Sequence, residues 1–258
     1  MDLGIDNRFA IVCASTKGLG FAIAQSLLAE GAKVVICSSK KENLDNASEL
    51  LDDQGYKEKY FPCLVDLSTP EGVTSLFEFS LSHSATIDIL VNNCGGPNPG
   101  SVSDINEHQL DDAINKNLRN TFNLTKLILP VMKTNNWGRI VNITSSSAKQ
   151  PIDGLLLSNI TRAAVTAFSK SVSNEYARYN IMVNNVLPGR IVTDRIIELA
   201  TNKATETGTK IEKILETMGD DLPIARLGKP EEFAPIVTFL CSEMASYITG
   251  NSVHIDGG

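Results

Sequence analysis

At 258 residues, with 23 Lys and Arg against 30 Asp and Glu, the chain has a formal charge of −7 and no basic tract. That balance argues against a surface built for nucleic acid or anionic membranes. The 42 % hydrophobic and 21 % charged residues are those of a soluble globular protein with a substantial core. No apolar run reaches spanning length and the N-terminus lacks a signal-peptide core, so the expected location is the cytoplasm.

Phe9–Cys13 (FAIVC) is a short apolar, β-branched run, the pattern of a buried strand. At Phe21–Leu28 the period changes: Ile23 and Leu27, like Ala24 and Leu28, stand four apart on one helical face. The turn between them carries Gly18 and Gly20, where a backbone can approach a ligand closely. Helix N-terminal N–H groups point at the same place, so a diphosphate is the natural guest. The spacing is not the standard G-x-G-x-x-G, and an ordinary strand-to-helix turn is the alternative.

Further strands are expected near 33–37, 60–65, 87–92, 138–144, 181–187 and 252–255, alternating with helical segments. This is an α/β pattern: a single doubly wound Rossmann-type domain, residues 1–258, with a parallel seven-stranded sheet. Pro62 lacks a backbone N–H, which places the third strand at a sheet edge, as the order 3-2-1-4-5-6 requires. Residues 194–222 form a polar, helix-prone insert. The second strand ends in Ser38-Ser39-Lys40-Lys41, with no carboxylate before Glu42. An NAD site usually has Asp or Glu there for the ribose hydroxyls. Small hydroxyls and lysines, with Lys17 nearby, suit a 2′-phosphate instead. A solvated basic turn is the alternative.

The five cysteines, Cys13, Cys37, Cys63, Cys94 and Cys241, contain no C-x-x-C, and their odd number suits reduced thiols. His83, His108 and His254 have no ligand spacing, so no metal site is expected.

Cys13 to Gly20 resembles the T-G-x-x-x-G-x-G turn of the short-chain dehydrogenase/reductase superfamily, with Cys13 for Thr and Ala14 for the first Gly. The resemblance extends over about the whole chain. Asn92-Asn93-Cys94-Gly95 is similar to the family N-N-A-G, with Cys for Ala. Asn117-Leu118-Arg119-Asn120-Thr121-Phe122 is similar to N-L-x-x-x-F, and Pro188-Gly189 with Thr193 to P-G-x-x-x-T. The pattern is most like 3-oxoacyl-carrier-protein reductases and glucose-dehydrogenase-like members. It implies a nicotinamide cofactor, NADP(H) favoured on the residues above and NAD(H) as the alternative. Its contacts are expected at Ala14, Ser15, Thr16, Lys17, Gly18, Leu19, Gly20, Ser38, Ser39, Lys40, Asp66, Leu67, Asn93, Cys94, Gly95, Arg162, Pro188, Gly189, Ile191 and Thr193. It also implies a substrate lid over 194–222 and a homo-oligomer, tetramer or dimer. Val165, Phe168 and Val172 recur at helical spacing, consistent with a packed face.

The catalytic stretch departs from the family. Gly138–Ser145 is a strand that delivers Ser145 at its C-terminal end, where ligands bind in such sheets. Thirteen residues later the family expects Tyr, then Lys four residues on; here stand Ser158 and Arg162. A subgroup of the superfamily shares this variation. Reduction of a carbonyl by hydride needs a proton donor at the developing alkoxide. A phenol titrates ordinarily at about 10 and a neighbouring lysine lowers it. An unaided serine hydroxyl is far weaker, and a guanidinium keeps its proton at physiological pH. Tyr176 is eighteen residues beyond Ser158, which on a helix is about 27 Å away. The remaining donors are a water held by Ser145 and Ser158, or Lys149 or Asp153 from the intervening loop. With Asn117, the expected catalytic residues are Ser145, Ser158 and Arg162. Two functions fit: an oxidoreductase on a small carbonyl or alcohol with an atypical proton donor, or a dinucleotide-binding protein that has lost catalysis.

Overall fold

Phe9, Ala10, Ile11 and Val12 are at most 2 % exposed and form β1 (Phe9–Val12). Parallel neighbours flank it, with Ala10 beside Val34 on one side and Ile89 on the other. In the computed structural model, which describes residues 2–258, six more strands extend this sheet. They are β2 (Lys33–Ser38), β3 (Tyr60–Leu64), β4 (Ile89–Asn92), β5 (Gly138–Ile143), β6 (Ile181–Pro188) and β7 (Ser252–Ile255). All pair in parallel in the order β3-β2-β1-β4-β5-β6-β7. Pro62 thus lies in an edge strand, as its missing N–H demands.

Alternate strand residues serve opposite faces of the sheet. Ala10 and Val12 meet Ile23 and Leu27 of α1 (Gly18–Ala29), with Phe233 and Val237 of α9 (Pro230–Leu240) in the same layer. Phe9 and Ile11 meet Leu76 of α3 (Pro70–His83), Leu124 and Ile128 of α5 (Asn120–Thr134), and Val172 of α6 (Leu156–Tyr176). Burying a Leu, Ile or Val contributes about 1.5–3 kcal/mol, so these two layers fix the sheet and leave its C-terminal edge to carry the site. The fourth strand starts later than expected. Asp88, just before it, uses its carboxylate to accept the Phe9 N–H at 2.9 Å and to pair with Arg8 at 3.3 Å.

α2 (Lys41–Asp53) follows β2, and α4 (Glu107–Ala113) runs through a π-helical stretch, Ile114–Arg119, into α5. The 194–222 insert is a pair of helices, α7 (Asp194–Thr207) and α8 (Ile211–Asp220). Val165 and Val172 are turned into the chain's own core, at 2 % and 6 % exposed. The packed face proposed for them is therefore internal. Phe168 tilts against Phe122 at 5.4 Å, and Phe122 and Ile160 stay exposed on this side. Among the described residues no helix is long and apolar enough to cross a membrane.

Candidate active site

The C-terminal ends of the central strands open onto one cavity of about 660 Å³. Eighteen of the expected cofactor residues lie on its wall: Ala14, Thr16, Lys17, Gly18, Leu19, Gly20, Ser38, Ser39, Asp66, Leu67, Asn93, Cys94, Gly95, Arg162, Pro188, Gly189, Ile191 and Thr193. Ser15 and Lys40 do not. Ser15 is buried; its hydroxyl donates to Val12 O at 2.7 Å and accepts from Cys37 N–H at 2.9 Å, which pins the turn to the sheet. Lys40 is the exposed residue capping α2, and Asn43, one turn on, takes the place on the wall.

The turn between β1 and α1 is tightly built. A Cβ on Gly20 would stand 2.2 Å from Ala14 O and 2.7 Å from Asn93 Nδ2, so only glycine fits. Asn93 Nδ2 donates to the carbonyls of Cys13 and Ala14, both at 3.2 Å, and ties the turn to the end of β4. Ala14 itself sits at φ +46°, a left-handed conformation costly for a residue with a Cβ. Past the turn, the first N–H groups of α1 lack intrahelical partners, and such a terminus attracts phosphate. Further along the wall, Asp66 accepts the Ser68 N–H at 2.9 Å, which holds its carboxyl below the usual range.

The catalytic candidates gather at the other end. Asn117 lies in the π-helical stretch and is buried, at 1 % exposed; its Nδ2 donates to Ala113 O at 3.1 Å. Its Oδ1 accepts the Cys94 thiol at 3.1 Å. Asn117 is behind the wall rather than on it. Arg162 is 6 % exposed and its guanidinium turns inward. Nη1 donates to Ile143 O at 3.1 Å and to Cys94 Sγ at 3.2 Å, while Nη2 donates to Cys94 O at 3.3 Å. Ser145 and Ser158 are both on the wall. The backbone N–H of Ser147 donates to Ser145 Oγ at 3.1 Å, and the Ser147 and Ser158 hydroxyls lie 3.2 Å apart.

Some participants were not read from the sequence. Ser147 is buried behind both serines and organises them, but three consecutive serines gave no reason to single it out. Thr144, buried on the wall, has a hydroxyl with no partner among the described residues. A buried donor without a partner is costly. Arg195 enters the wall from the first turn of α7 and donates to Pro97 O at 3.0 Å. Its place directly after Thr193-Asp194 was the available signal. Lys149 and Asp153 are exposed and off the wall, and Tyr176 stands at the far end of α6.

Chemically the cavity joins a phosphate-seeking helix terminus to a cluster of hydroxyls aimed at one end. Comparison with known proteins gives the same frame. Residues 13–258 match a family model described as Enoyl-(Acyl carrier protein) reductase. The chain is 39 % identical over 253 residues to Dehydrogenase/reductase SDR family member 4 of Oryctolagus cuniculus, covering 98 % of this chain and 93 % of that one. It is 33 % identical over 258 residues to the 3-oxoacyl-[acyl-carrier-protein] reductase FabG of Aquifex aeolicus, covering 100 % and 99 %. Among solved structures, L-sorbose reductase from Gluconobacter frateurii, complexed with NADPH and L-sorbose, superposes with a TM-score of 0.95 at 32 % identity, covering 100 % and 98 %. With this fold, this cavity and these relatives, the chain belongs to the short-chain dehydrogenase/reductase superfamily.

Proposed function

We propose that this chain is an NADP(H)-dependent oxidoreductase that passes a hydride between the nicotinamide and a small carbonyl or alcohol substrate. One observation carries the reading: a single cavity joins the N-terminus of α1 to Ser145 and Ser158. At one point the wall also leaves room for a bound group. A Cβ on Gly95 would meet nothing within 4 Å, so the backbone there is open to a ligand's close approach. The α1 turn would hold the diphosphate, Asp66 and Leu67 the adenine, and Thr193 with Pro188 and Gly189 the nicotinamide amide. When bound, the cofactor supplies or accepts the hydride. Ser145, whose oxygen accepts the Ser147 N–H, would present its own O–H to the substrate oxygen.

Preference for the phosphorylated cofactor rests on the end of β2, where Ser38, Ser39 and Asn43 line the cavity and Lys17 stands on the adjoining turn. β2 itself puts no carboxylate on the wall; Asp66, which follows the neighbouring β3, does. The helical pair α7 and α8 would act as the lid, with Arg195 as its contact with the wall. A cytoplasmic setting suits the five free thiols. A tetramer or dimer would cover the exposed Phe122 and Ile160, and sedimentation at micromolar concentration tests it; a monomer rejects it. A second reading, binding without turnover, is favoured by Ser158 and Arg162 standing where a phenol and a lysine would act. Fluorescence titration with NADPH and NADH, followed by oxidation assays across aldehydes, ketones and acyl thioesters, separates the two. Tighter NADPH binding with turnover is expected; binding without turnover supports the second reading.

A further inference from the structure

The segment that carries α7 and α8 is fixed to the body at its base. Ile191 and Gly228 form a parallel backbone bridge, with the Val192 N–H donating to Gly228 O at 2.9 Å and the Gly228 N–H to Arg190 O at 3.0 Å. Arg190 Nη1 donates to Met218 O at 2.7 Å and to Asp221 at 3.2 Å, and Arg226 pairs with Glu232 of α9. Above this base the two helices are lightly held. Among the described residues, only Ala200 of α7 and Ile214 and Gly219 of α8 are buried. Elements with so few buried contacts open at little cost.

One tie reaches from α7 to the opposite wall. Arg195 Nη2 donates to Pro97 O at 3.0 Å, and among the described residues no other hydrogen bond joins α7 or α8 to the loop after β4. Arg195 also lies over Gly96, where a Cβ would stand 3.6 Å from its Nε. The side chain thus connects two sides of the cavity, Thr193 to Ile196 on one and Gly95 and Gly96 on the other. On its outer side Nη1 pairs with Glu198 at 3.1 Å, with the two side chains 30 % and 59 % exposed, and a pair so open to water holds little. The glycine turn adjoins: a Cβ on Gly18 would stand 3.4 Å from Thr193 Cγ2. The N-termini of α1 and α7 therefore meet at one part of the cavity, where they and the guanidinium all favour an anion.

We propose that Arg195 is a strap over the bound dinucleotide: its bond to the Pro97 carbonyl holds α7 across the cavity, and breaking that bond lets the dinucleotide leave. The proposal rests on the oxidoreductase reading above, and within it on the cofactor. The two ends of the strap differ in stiffness. Pro97 and Pro99 restrict the loop that supplies the acceptor, whereas α7 has one buried residue to hold it. Movement therefore falls to α7, about the bridge between Ile191 and Gly228. Arginine suits the task because its five N–H groups can serve the Pro97 carbonyl and an anion at once. An anion beside the guanidinium favours the closed form, so the strap acts mainly on release. Arg195 is a positioning residue here and touches no reacting atom.

The test uses the whole protein loaded with NADPH, displaced by excess NADP⁺ in stopped flow and followed by nicotinamide fluorescence. Arg195→Met keeps the stem and removes the donors; it should release NADPH about tenfold faster. Its association rate should change by less than about threefold. Arg195→Lys, with one ammonium in place of the guanidinium, should fall between Arg195→Met and wild type. Glu198→Gln breaks only the exposed pair and should stay within about twofold of wild type. Separately, amide hydrogen exchange over residues 194–207 of the NADP⁺-bound protein should quicken about fivefold or more in Arg195→Met, with residues 9–29 unchanged. NADPH release from Arg195→Met at the wild-type rate overturns the strap and leaves the oxidoreductase reading standing. Unchanged exchange over 194–207, or Glu198→Gln releasing as fast as Arg195→Met, overturns it too. A wild-type protein that binds neither NADPH nor NADH overturns the underlying reading itself.

Discussion

Arg162 lies against Cys94, with Nη1 3.2 Å from the sulfur and Nη2 3.3 Å from the carbonyl oxygen. The sequence resemblance leads one to expect Lys and Ala at these two positions, and the residues that stand there touch. A guanidinium is planar and larger than an ammonium, and it needs acceptors set in its own plane. The Cys94 sulfur, the Cys94 carbonyl and the Ile143 carbonyl supply three. The two residues therefore form one contact.

That contact predicts energetic coupling. Arg162→Lys leaves buried acceptors short of donors and should lower stability in urea by about 1–3 kcal/mol. Cys94→Ala removes one acceptor from Arg162 and one thiol donor from Asn117 but leaves the Cys94 and Ile143 carbonyls to the guanidinium, and should cost less. The double variant should be less destabilised than the sum by at least about 0.5 kcal/mol. Strict additivity would contradict the coupling. For the same reason, an attempt to restore the family pair through Ser158→Tyr and Arg162→Lys should succeed better with Cys94→Ala added.

Ser147 should matter without touching substrate. Its N–H holds Ser145 Oγ and its hydroxyl meets Ser158. Ser147→Ala keeps the backbone bond and loses the hydroxyl contact, so Ser158 is released while Ser145 stays oriented. The expected result is a fall in kcat of about tenfold, well short of the 10²-fold or more expected for Ser145→Ala. NADPH affinity should be unchanged. Equal losses in the two variants would show that Ser147 does more than orient its neighbour.

Cofactor choice should follow the residues on the wall. Ser39→Asp places a carboxylate where the 2′-phosphate is proposed and should weaken NADPH and strengthen NADH. Lys40→Asp, at an exposed position off the wall, should have the smaller effect. The wild-type preference for NADPH should shrink as salt rises, because screening acts on its charge contacts. Equal NADPH and NADH affinities at low salt would reject the pocket.

A pH dependence of stability is built in near α9. Glu232 accepts from Arg226 at 2.6 and 2.8 Å and from the Lys229 N–H at 2.9 Å. The Arg226 bond above all holds its carboxyl at about 2. An unfolded glutamate titrates at about 4.3. The folded value is the lower, so the stabilisation is complete above the unfolded value and is lost as pH falls toward about 2. Melting temperatures of wild type and Glu232→Gln should differ at pH 7 and draw together between pH 4 and pH 2. A gap that stays constant across that range contradicts this.

The strands, the edge position of Pro62 and the glycine turn were legible because each follows from local chemistry: a β-branched run, an absent N–H, a change of period; the strand order came from the fold type that the alternation implies. Asn117 was placed by resemblance alone. A lone Asn in a helical pattern ordinarily faces solvent, and no periodicity announces the π-helical stretch that buries this one. Cys94 could be seen to differ from its family residue. Its partners could not be seen, since Asn117 is 23 residues away and Arg162 is 68. The inward turn of Arg162 likewise depends on carbonyls from two strands' ends, a tertiary relation with no sequence signature.

The most direct test of the account is transfer of label from NADPH carrying deuterium at the nicotinamide C4, with product analysed by mass spectrometry across the carbonyl panel. The account predicts deuterium on the former carbonyl carbon of at least one product, loss of that transfer in Ser145→Ala, and no comparable transfer from labelled NADH. NADPH bound tightly with no deuterium delivered to any substrate would contradict it.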